Sequence, residues 1–308
     1  MKSKLSGISI LGGSGFIGTN LVKYLLSQGE EDIRILSRNK KIMKSVSIIE
    51  GDLMNSESLR LLVSGQGLVI NLAYIQDDHK ANLIAMDKLA DECIKAKVPK
   101  FIHCSTAVVA GRVKDFSINE ATLCNPISDY EKTKLAIEHL LISRFKGKVE
   151  LIIVRPTAVF GVGGLNLVKT IDTLKNKPRI LNILIIMVNQ NRNLHLIPVK
   201  EVVKSIYYLA TLDQDLSGEK FIISNDEHSY NNYSVLVKYL AIKLGHKSYK
   251  FTYIPFSNSF LTMLLKFRGR SQVNPIQVFS NQKLLDHGFY SNTNFIKEID
   301  KFCVFLEK

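Results

Sequence analysis

ISILGGSGFIG, residues 8–18, decides how the rest of the chain is read. Ile8–Leu11 is a short β-favouring run. Gly12, Gly15 and Gly18 follow at G-x-x-G-x-x-G spacing. Apolar residues then recur at helical spacing through Phe16, Ile17, Leu21, Val22, Leu25 and Leu26, up to Gly29. A strand, a glycine turn and a helix in that order suit the pyrophosphate of a dinucleotide. The first glycine permits the tight turn, the second lets phosphates approach the backbone, and the third lets helix and strand pack closely. The helix N-terminus favours the negative charge. Gly12, Gly15 and Gly18, with Phe16 and Ile17 as apolar anchors, are the expected cofactor loop.

Outward from that loop, strand-like and helix-like segments alternate. Asp32–Arg38, Val46–Leu53, Leu68–Tyr74, Lys100–Thr106 and Val149–Pro156 read as strands, and Asn82–Ala96 and Tyr130–Phe145 as helices. Such alternation implies right-handed βαβ units and a parallel sheet. After Gly161 the pattern loosens. Residues 162–195 show one helix, NLVKTIDTLKN; Val199–Leu212 is an amphipathic helix and Lys220–Ser224 a last strand. The expected fold is α/β, a doubly wound parallel Rossmann sheet with a smaller, mainly C-terminal α/β substrate lobe. Residues 1–161, completed by 196–225, would bind the dinucleotide; 162–195 and 226–308 would form the substrate lobe. The ligand is expected at the carboxyl ends of the strands.

Composition narrows the class. At 46% apolar and 22% charged, the 308-residue chain reads as globular. No run reaches the roughly 20 apolar residues of a membrane span; Asn182 breaks the longest, Ile180–Val188. No leader pattern opens the chain, so a soluble cytoplasmic protein without an integral membrane segment is expected. Cys93, Cys104, Cys124 and Cys303 show no C-x-x-C, and the seven histidines no H-E-x-x-H, so neither disulfides nor a metal site are expected. The net charge of +13 is uneven. Residues 151–200 hold seven Lys/Arg against one acid, Asp172, whereas residues 51–150 are neutral. A local basic field suits an anionic ligand such as a nucleotide; a Lys-rich solvated surface is the alternative. The basic residues do not alternate with aromatics, which argues against nucleic acid.

Two further features carry chemistry. Ser37-Arg38 ends the second strand, where NAD-preferring folds place an acid for the ribose 2′-hydroxyl. Arg38, near Lys40 and Lys41, instead suits a 2′-phosphate and tilts the expected cofactor, NAD or NADP, toward NADP. Tyr130 and Lys134 in YEKTK share a helix face at i and i+4. An ammonium beside the phenol is expected to lower the tyrosine's pKa. Such a tyrosine can exchange a proton with a substrate hydroxyl or carbonyl while a hydride moves at carbon. Thr106, read as the end of the fifth strand, is placed to hydrogen-bond the same oxygen.

More motifs follow in order: Gly51-Asp52-Leu53, Asn71-Leu72-Ala73, Asn82, Cys104-Ser105-Thr106 with Ala107–Gly111, Glu120, Pro126, Thr133, Arg155–Gly161 and Pro198–Val203. With the glycine loop and the Tyr130/Lys134 pair, they make residues 8 to about 224 resemble an extended short-chain dehydrogenase/reductase. The type is the NAD-dependent epimerase/dehydratase that acts on nucleotide sugars. The resemblance implies that Asp52, with Leu53, meets the adenine, that Ala73 lines the cofactor and that Arg155 belongs to the cofactor set. It implies Thr106, Tyr130 and Lys134 as catalytic residues, Lys134 also holding the nicotinamide ribose, and a homodimer through the Tyr130 helix and its neighbour. RPTAVFGVGGLNLVK, NLHLIPV and GRS around Arg270 look most like bacterial enzymes that make sugar nucleotides for surface polysaccharide. Two departures matter. Ala110 replaces the tyrosine usual before Gly111. Ala107 and Val108 stand where the family's dehydratases carry Asp and Glu, which disfavours dehydration.

The expected function is therefore an NAD(P)-dependent oxidoreductase or epimerase of a nucleotide sugar. Asn166, Arg192 and Arg270 are the candidate pyrophosphate ligands, arginine offering a planar donor fork. His103 and His195 flank apolar runs and read as packed core histidines. Phe260–Arg270 reads as lobe packing. A non-catalytic dinucleotide-binding sensor or structural subunit and a reductase of non-sugar carbonyls are the competing readings. Tyr130 with Lys134 argues against the first, the basic 151–200 segment against the second.

Overall fold

The computed structural model describes residues 5–39, 45–189, 191–245, 258–267 and 274–306. In chain order the strands are β1 (Ile8–Leu11), β2 (Ile33–Ser37), β3 (Ser47–Glu50), β4 (Leu68–Asn71), β5 (Lys100–Cys104), β6 (Ser117–Ile118), β7 (Glu150–Pro156), β8 (Ala158–Phe160), β9 (Leu196–Pro198), β10 (Glu219–Ile223) and β11 (Val278–Phe279). The helices are α1 (Phe16–Ser27), α2 (Ser56–Val63), α3 (His79–Lys95), α4 (Asp129–Phe145), α5 (Val168–Asn176), α6 (Arg179–Asn189), α7 (Val199–Thr211), α8 (Tyr233–Lys243), α9 (Asn258–Phe267), α10 (Gln282–Asp286) and α11 (Phe295–Leu306).

Seven strands pair in parallel in the order β10-β7-β5-β4-β1-β2-β3. This is the doubly wound α/β fold that the sequence implied. The order reverses between β1 and β4, and a crevice opens beyond the strand ends at such a point. Both faces are covered, so β1 and β4 are buried at every residue. Ile8, Ile10 and Ile33 pack on one side with Leu21 and Leu25 of α1 and Val202 and Ile206 of α7. Leu11, Val69 and Phe101 pack on the other with Leu59 of α2, Leu89 of α3 and Ile137 of α4. A separate apolar cluster joins Phe160 to Ile171, Ile186, Leu236, Phe295 and Phe302, from α5, α6, α8 and α11.

Three details differ from the sequence reading. Helix α2 was not expected; Asn55 caps it, its side chain accepting from Glu57 and Ser58 amides. Residues 162–195 form two helices rather than one. Asn182, read as a break, is buried in α6 and donates Nδ2 to Lys177 O at 3.2 Å and Leu174 O at 3.4 Å, satisfying carbonyls at the end of α5. Residues 260–267 of the segment read as lobe packing belong to α9, on which Phe267 is exposed; 268–270 lie outside the described residues.

Candidate functional site

The glycine loop is built as its spacing demands. Gly12 adopts φ +77°, and a Cβ there would lie 2.9 Å from Ala73 N; a Cβ on Gly18 would lie 2.2 Å from Gly12 O. Helix α1 starts from Gly15 with no side-chain cap and no acid in its first turn, so its amide N–H groups and dipole are available to an anion. Above the loop lies a cleft of about 690 Å³ lined by Gly12, Gly15, Arg38, Asp52, Leu53 and Ala73. Asp52 Oδ1 accepts from Met54 N at 2.9 Å, which turns the chain at the end of β3. A cradle that a Cβ would fill, uncapped amides and a flanking Arg and Asp fit a dinucleotide.

A second cavity, about 520 Å³, adjoins it. Leu72 and Tyr74 line both. A capping box fixes the start of α4: Ser128 accepts from Glu131 N, and Glu131 accepts from Ser128 N. That box sets Tyr130 at the mouth, its ring edge-on to Tyr74 at 5.2 Å. One turn further, Lys134 is buried, donates Nζ to Cys104 O at 3.0 Å and lies 5.0 Å over the Tyr74 ring. Thr106 lies just beyond β5 rather than at its end, caps a short 3-10 turn over Ala107–Ala110 and lines the cavity with Tyr130. Asn166 and Arg192 line the same cavity, Asn166 donating Nδ2 to Val159 O at 2.6 Å.

The electrostatics differ from expectation. Loss of water around its hydroxyl pushes Tyr130 up to about 12, opposed by the Thr106 hydroxyl. The Lys134 ammonium is held by the Cys104 carbonyl, and burial outweighs any opposing effect on Tyr130. Burial lowers Lys134 itself, while Cys104 and Glu138 raise it.

Several expected site residues fall elsewhere. Phe16 and Ile17 line the Tyr130 cavity, not the dinucleotide cleft. Arg155 lines neither. It is buried against Glu138 of α4, donating from Nε at 3.0 Å and Nη2 at 2.6 Å, and Ser105 Oγ donates to the same carboxylate at 2.5 Å. Arg270, Lys40 and Lys41 lie outside the described residues. His103 is enclosed beside Asn71, as expected, but His195 lines the cavity. Sequence reasoning also missed Tyr74 and Glu138. Glu138 continues the 130/134 face at i+4, a legible signal; Tyr74 read only as the end of a strand. Among the described residues no His, Cys, Asp and Glu group forms a metal site, and no helix is long and apolar enough to cross a membrane.

Comparison with known proteins bears on this geometry. The model of the NAD-dependent epimerase/dehydratase family matches residues 8–223. Mouse (Mus musculus) sterol-4-alpha-carboxylate 3-dehydrogenase, decarboxylating, is 27% identical over 245 residues, covering 73% of this chain and 66% of that protein. Other curated relatives match over about half of their length, 41–51%. The Bordetella bronchiseptica enzyme WbmG, solved with NAD, superposes with a TM-score of 0.74 at 17% identity, covering 99% of this chain and 94% of that one. MoeE5, solved with UDP-glucuronic acid and NAD, does so with a TM-score of 0.72 at 19% identity, covering 98% and 99%. At such identities the likeness to solved structures is one of fold.

Proposed function

We propose that this chain, which belongs to the NAD-dependent epimerase/dehydratase family, holds a nicotinamide dinucleotide in the glycine-loop cleft and oxidises, reduces or epimerises a nucleotide sugar in the adjoining cavity. One observation carries the reading: Thr106, Tyr130 and Lys134 meet in a cavity that shares Leu72 and Tyr74 with the cleft. In this proposal the α1 amides and Gly12, Gly15 and Gly18 receive the pyrophosphate, and Asp52, Leu53 and Ala73 the adenosine end. Arg38 receives a 2′-phosphate where the dinucleotide is NADP. Bound there, the dinucleotide supplies the hydride acceptor or donor. Tyr130 exchanges the proton at the substrate oxygen, Thr106 hydrogen-bonds that oxygen, and Lys134 holds ribose hydroxyls. With its pKa raised, Tyr130 rests as a phenol and is ready to act as the acid when a carbonyl is reduced.

Arg192 and Arg270 are assigned to the sugar-nucleotide pyrophosphate, with Asn166 beside them. No acidic side chain lines the cavity among the described residues, and Ala107 and Val108 line it after Thr106. That favours redox or epimerisation over loss of water. Residues 1–161 with 196–225 hold the dinucleotide in this scheme, and 162–195 with 226–308 the substrate. A homodimer through α4 and α3, a cytoplasmic location and a role in surface-polysaccharide precursor synthesis complete the proposal.

Thermal unfolding with NAD, NADP and UDP-, GDP- and dTDP-sugars tests it. A ligand that binds only the folded state at about 100 times its Kd adds about 2.7 kcal/mol. Tyr130→Phe is expected to abolish turnover and keep the dinucleotide shift; retained turnover sinks the mechanism. A non-sugar carbonyl substrate is the second reading, favoured by the sterol dehydrogenase match over 73% of the chain. Stabilisation by a dinucleotide but by no sugar nucleotide supports it.

A further inference from the structure

His195 has a backbone φ of 56°, which few non-glycine residues adopt, and it lines the Thr106–Tyr130–Lys134 cavity. Its backbone is pinned on both sides: its carbonyl accepts from Ala158 N at 2.7 Å, and Leu196 N donates to Asn231 Oδ1 at 2.7 Å. The ring is held from behind. Nδ1 lies 2.6 Å from Asp226 Oδ2, which also accepts from Phe279 N at 2.8 Å, and the Phe279 ring meets the imidazole edge-on at 5.0 Å. The Asp226 side chain is fully enclosed, and its Oδ1 has no hydrogen-bond partner among the described residues. Oδ2 accepts from the Phe279 amide and faces Nδ1 as an acceptor too, which places the hydrogen on Nδ1 and leaves Nε2 for a ligand.

We propose that His195, oriented by Asp226, is a specificity-determining residue of the substrate cavity, its Nε2 accepting the hydrogen bond of a substrate hydroxyl. The inference deepens the nucleotide-sugar reading and rests on it. Lys134 and Arg192 offer donors in this cavity, and no acidic side chain offers an acceptor. Asn166 donates its amide nitrogen to Val159 O, so its Oδ1, with the hydroxyls of Thr106 and Thr157, supplies other side-chain acceptors of the cavity. The His195 imidazole is set apart from these groups by Asp226, which holds its ring from behind. A site built to bond a hydroxyl discriminates against ligands that lack it, because its own polar atom is then left unpaired.

Calorimetric titration of the full chain, in the presence of NAD, with UDP-glucose and with UDP separates the sugar's contribution from that of the nucleotide. His195→Phe is expected to weaken UDP-glucose about three- to tenfold, the worth of one neutral hydrogen bond, and to leave UDP unchanged. His195→Gln, whose side-chain oxygen can stand near Nε2, is expected to restore most of the loss. Equal weakening of both ligands, or of neither, overturns the proposal. If neither ligand binds the wild-type chain, the nucleotide-sugar reading has failed on its own. Ring-nitrogen NMR of the wild-type chain then decides: a proton on Nδ1 that Asp226→Asn displaces upholds the orientation by Asp226, and a neutral ring protonated on Nε2 overturns it.

Discussion

Replacing Glu138 by Gln removes one charge from a closed group of Glu138, Arg155 and Ser105, next to Thr106. The Glu138 side chain is 0% exposed and that of Arg155 5%. Burial works against the Arg155 charge, yet the hydrogen bonds and charge of Glu138 outweigh it and raise its pKa. Without Glu138 the guanidinium keeps its proton and loses its counter-charge. Breaking such a pair costs about 3–5 kcal/mol. Glutamine retains an oxygen for Ser105 or Arg155, so the lower end is expected. Unfolding entropy per residue converts about 3–5 kcal/mol into about 5–8 °C for a chain of this length. Urea unfolding followed by circular dichroism measures the free energy, and a thermal scan the shift. Glu138→Leu with Arg155→Met removes both charges together and is expected to cost less than either single change. A Glu138→Gln chain within about 0.5 kcal/mol of wild type, a cost typical of a neutral surface change, refutes the reasoning. So does a double variant whose cost equals the sum of the singles. Since Ser105 bonds Glu138 and precedes Thr106, turnover is expected to fall in Glu138→Gln more than dinucleotide affinity does.

Three other outcomes are expected. Gly18→Ala puts a Cβ 2.2 Å from Gly12 O and 2.6 Å from Gly13 Cα, so the loop must move; it is expected to lose the thermal shift given by NAD or NADP, and an undiminished shift sinks the packing role of the third glycine. Glu201, on α7, is raised from 4.5 to about 7 by burial, with Lys204 opposing. Below pH 4.5 the folded and unfolded chains both hold that proton. Between pH 4.5 and about 7 only the folded chain keeps it, so its contribution to stability falls as pH rises. Glu201→Gln is therefore expected to stabilise the chain at pH 8, by on the order of 1–3 kcal/mol, and to make no difference at pH 4, as urea unfolding at the two pH values will tell. Finally, carbon NMR of ring-labelled tyrosine is expected to find Tyr130 still protonated at pH 10.5 without dinucleotide, and equally so in Lys134→Met. A clear effect of that substitution on the titration contradicts burial as the dominant cause.

The glycine loop was legible because each glycine answers a local need: a positive φ at Gly12, a backbone contact at Gly18. The Tyr130/Lys134 face was legible for the same reason, since helical spacing alone aligns them. Strand ends were not. Leu72 and Tyr74 follow β4, Leu72 still donating its amide to Leu11 O, and their side chains line two cavities; hydrophobic pattern does not distinguish a strand from a cavity wall. Phe16 and Ile17 line the Tyr130 cavity beside Lys134, because the loop's spacing locates the backbone amides and not the side chains that follow.

The remaining misses are pairs made at long range. The resemblance put Arg155 with the cofactor, and its partner Glu138, 17 residues away on another element, was not legible. His195 looked like core for the complementary reason. Apolar neighbours at Leu194 and Leu196 describe its flanks, whereas its role depends on Asp226, 31 residues further on. Asp226 lies just past β10, and His195 just before β9; β9 is brought to the sheet through β8, which follows β7, the neighbour of β10. Local rules thus reached the glycine loop and the Tyr130/Lys134 face, each set by one loop or one helix. The residues that would select a substrate sit where strand ends converge, and only the assembled sheet order joins Asp226 to His195.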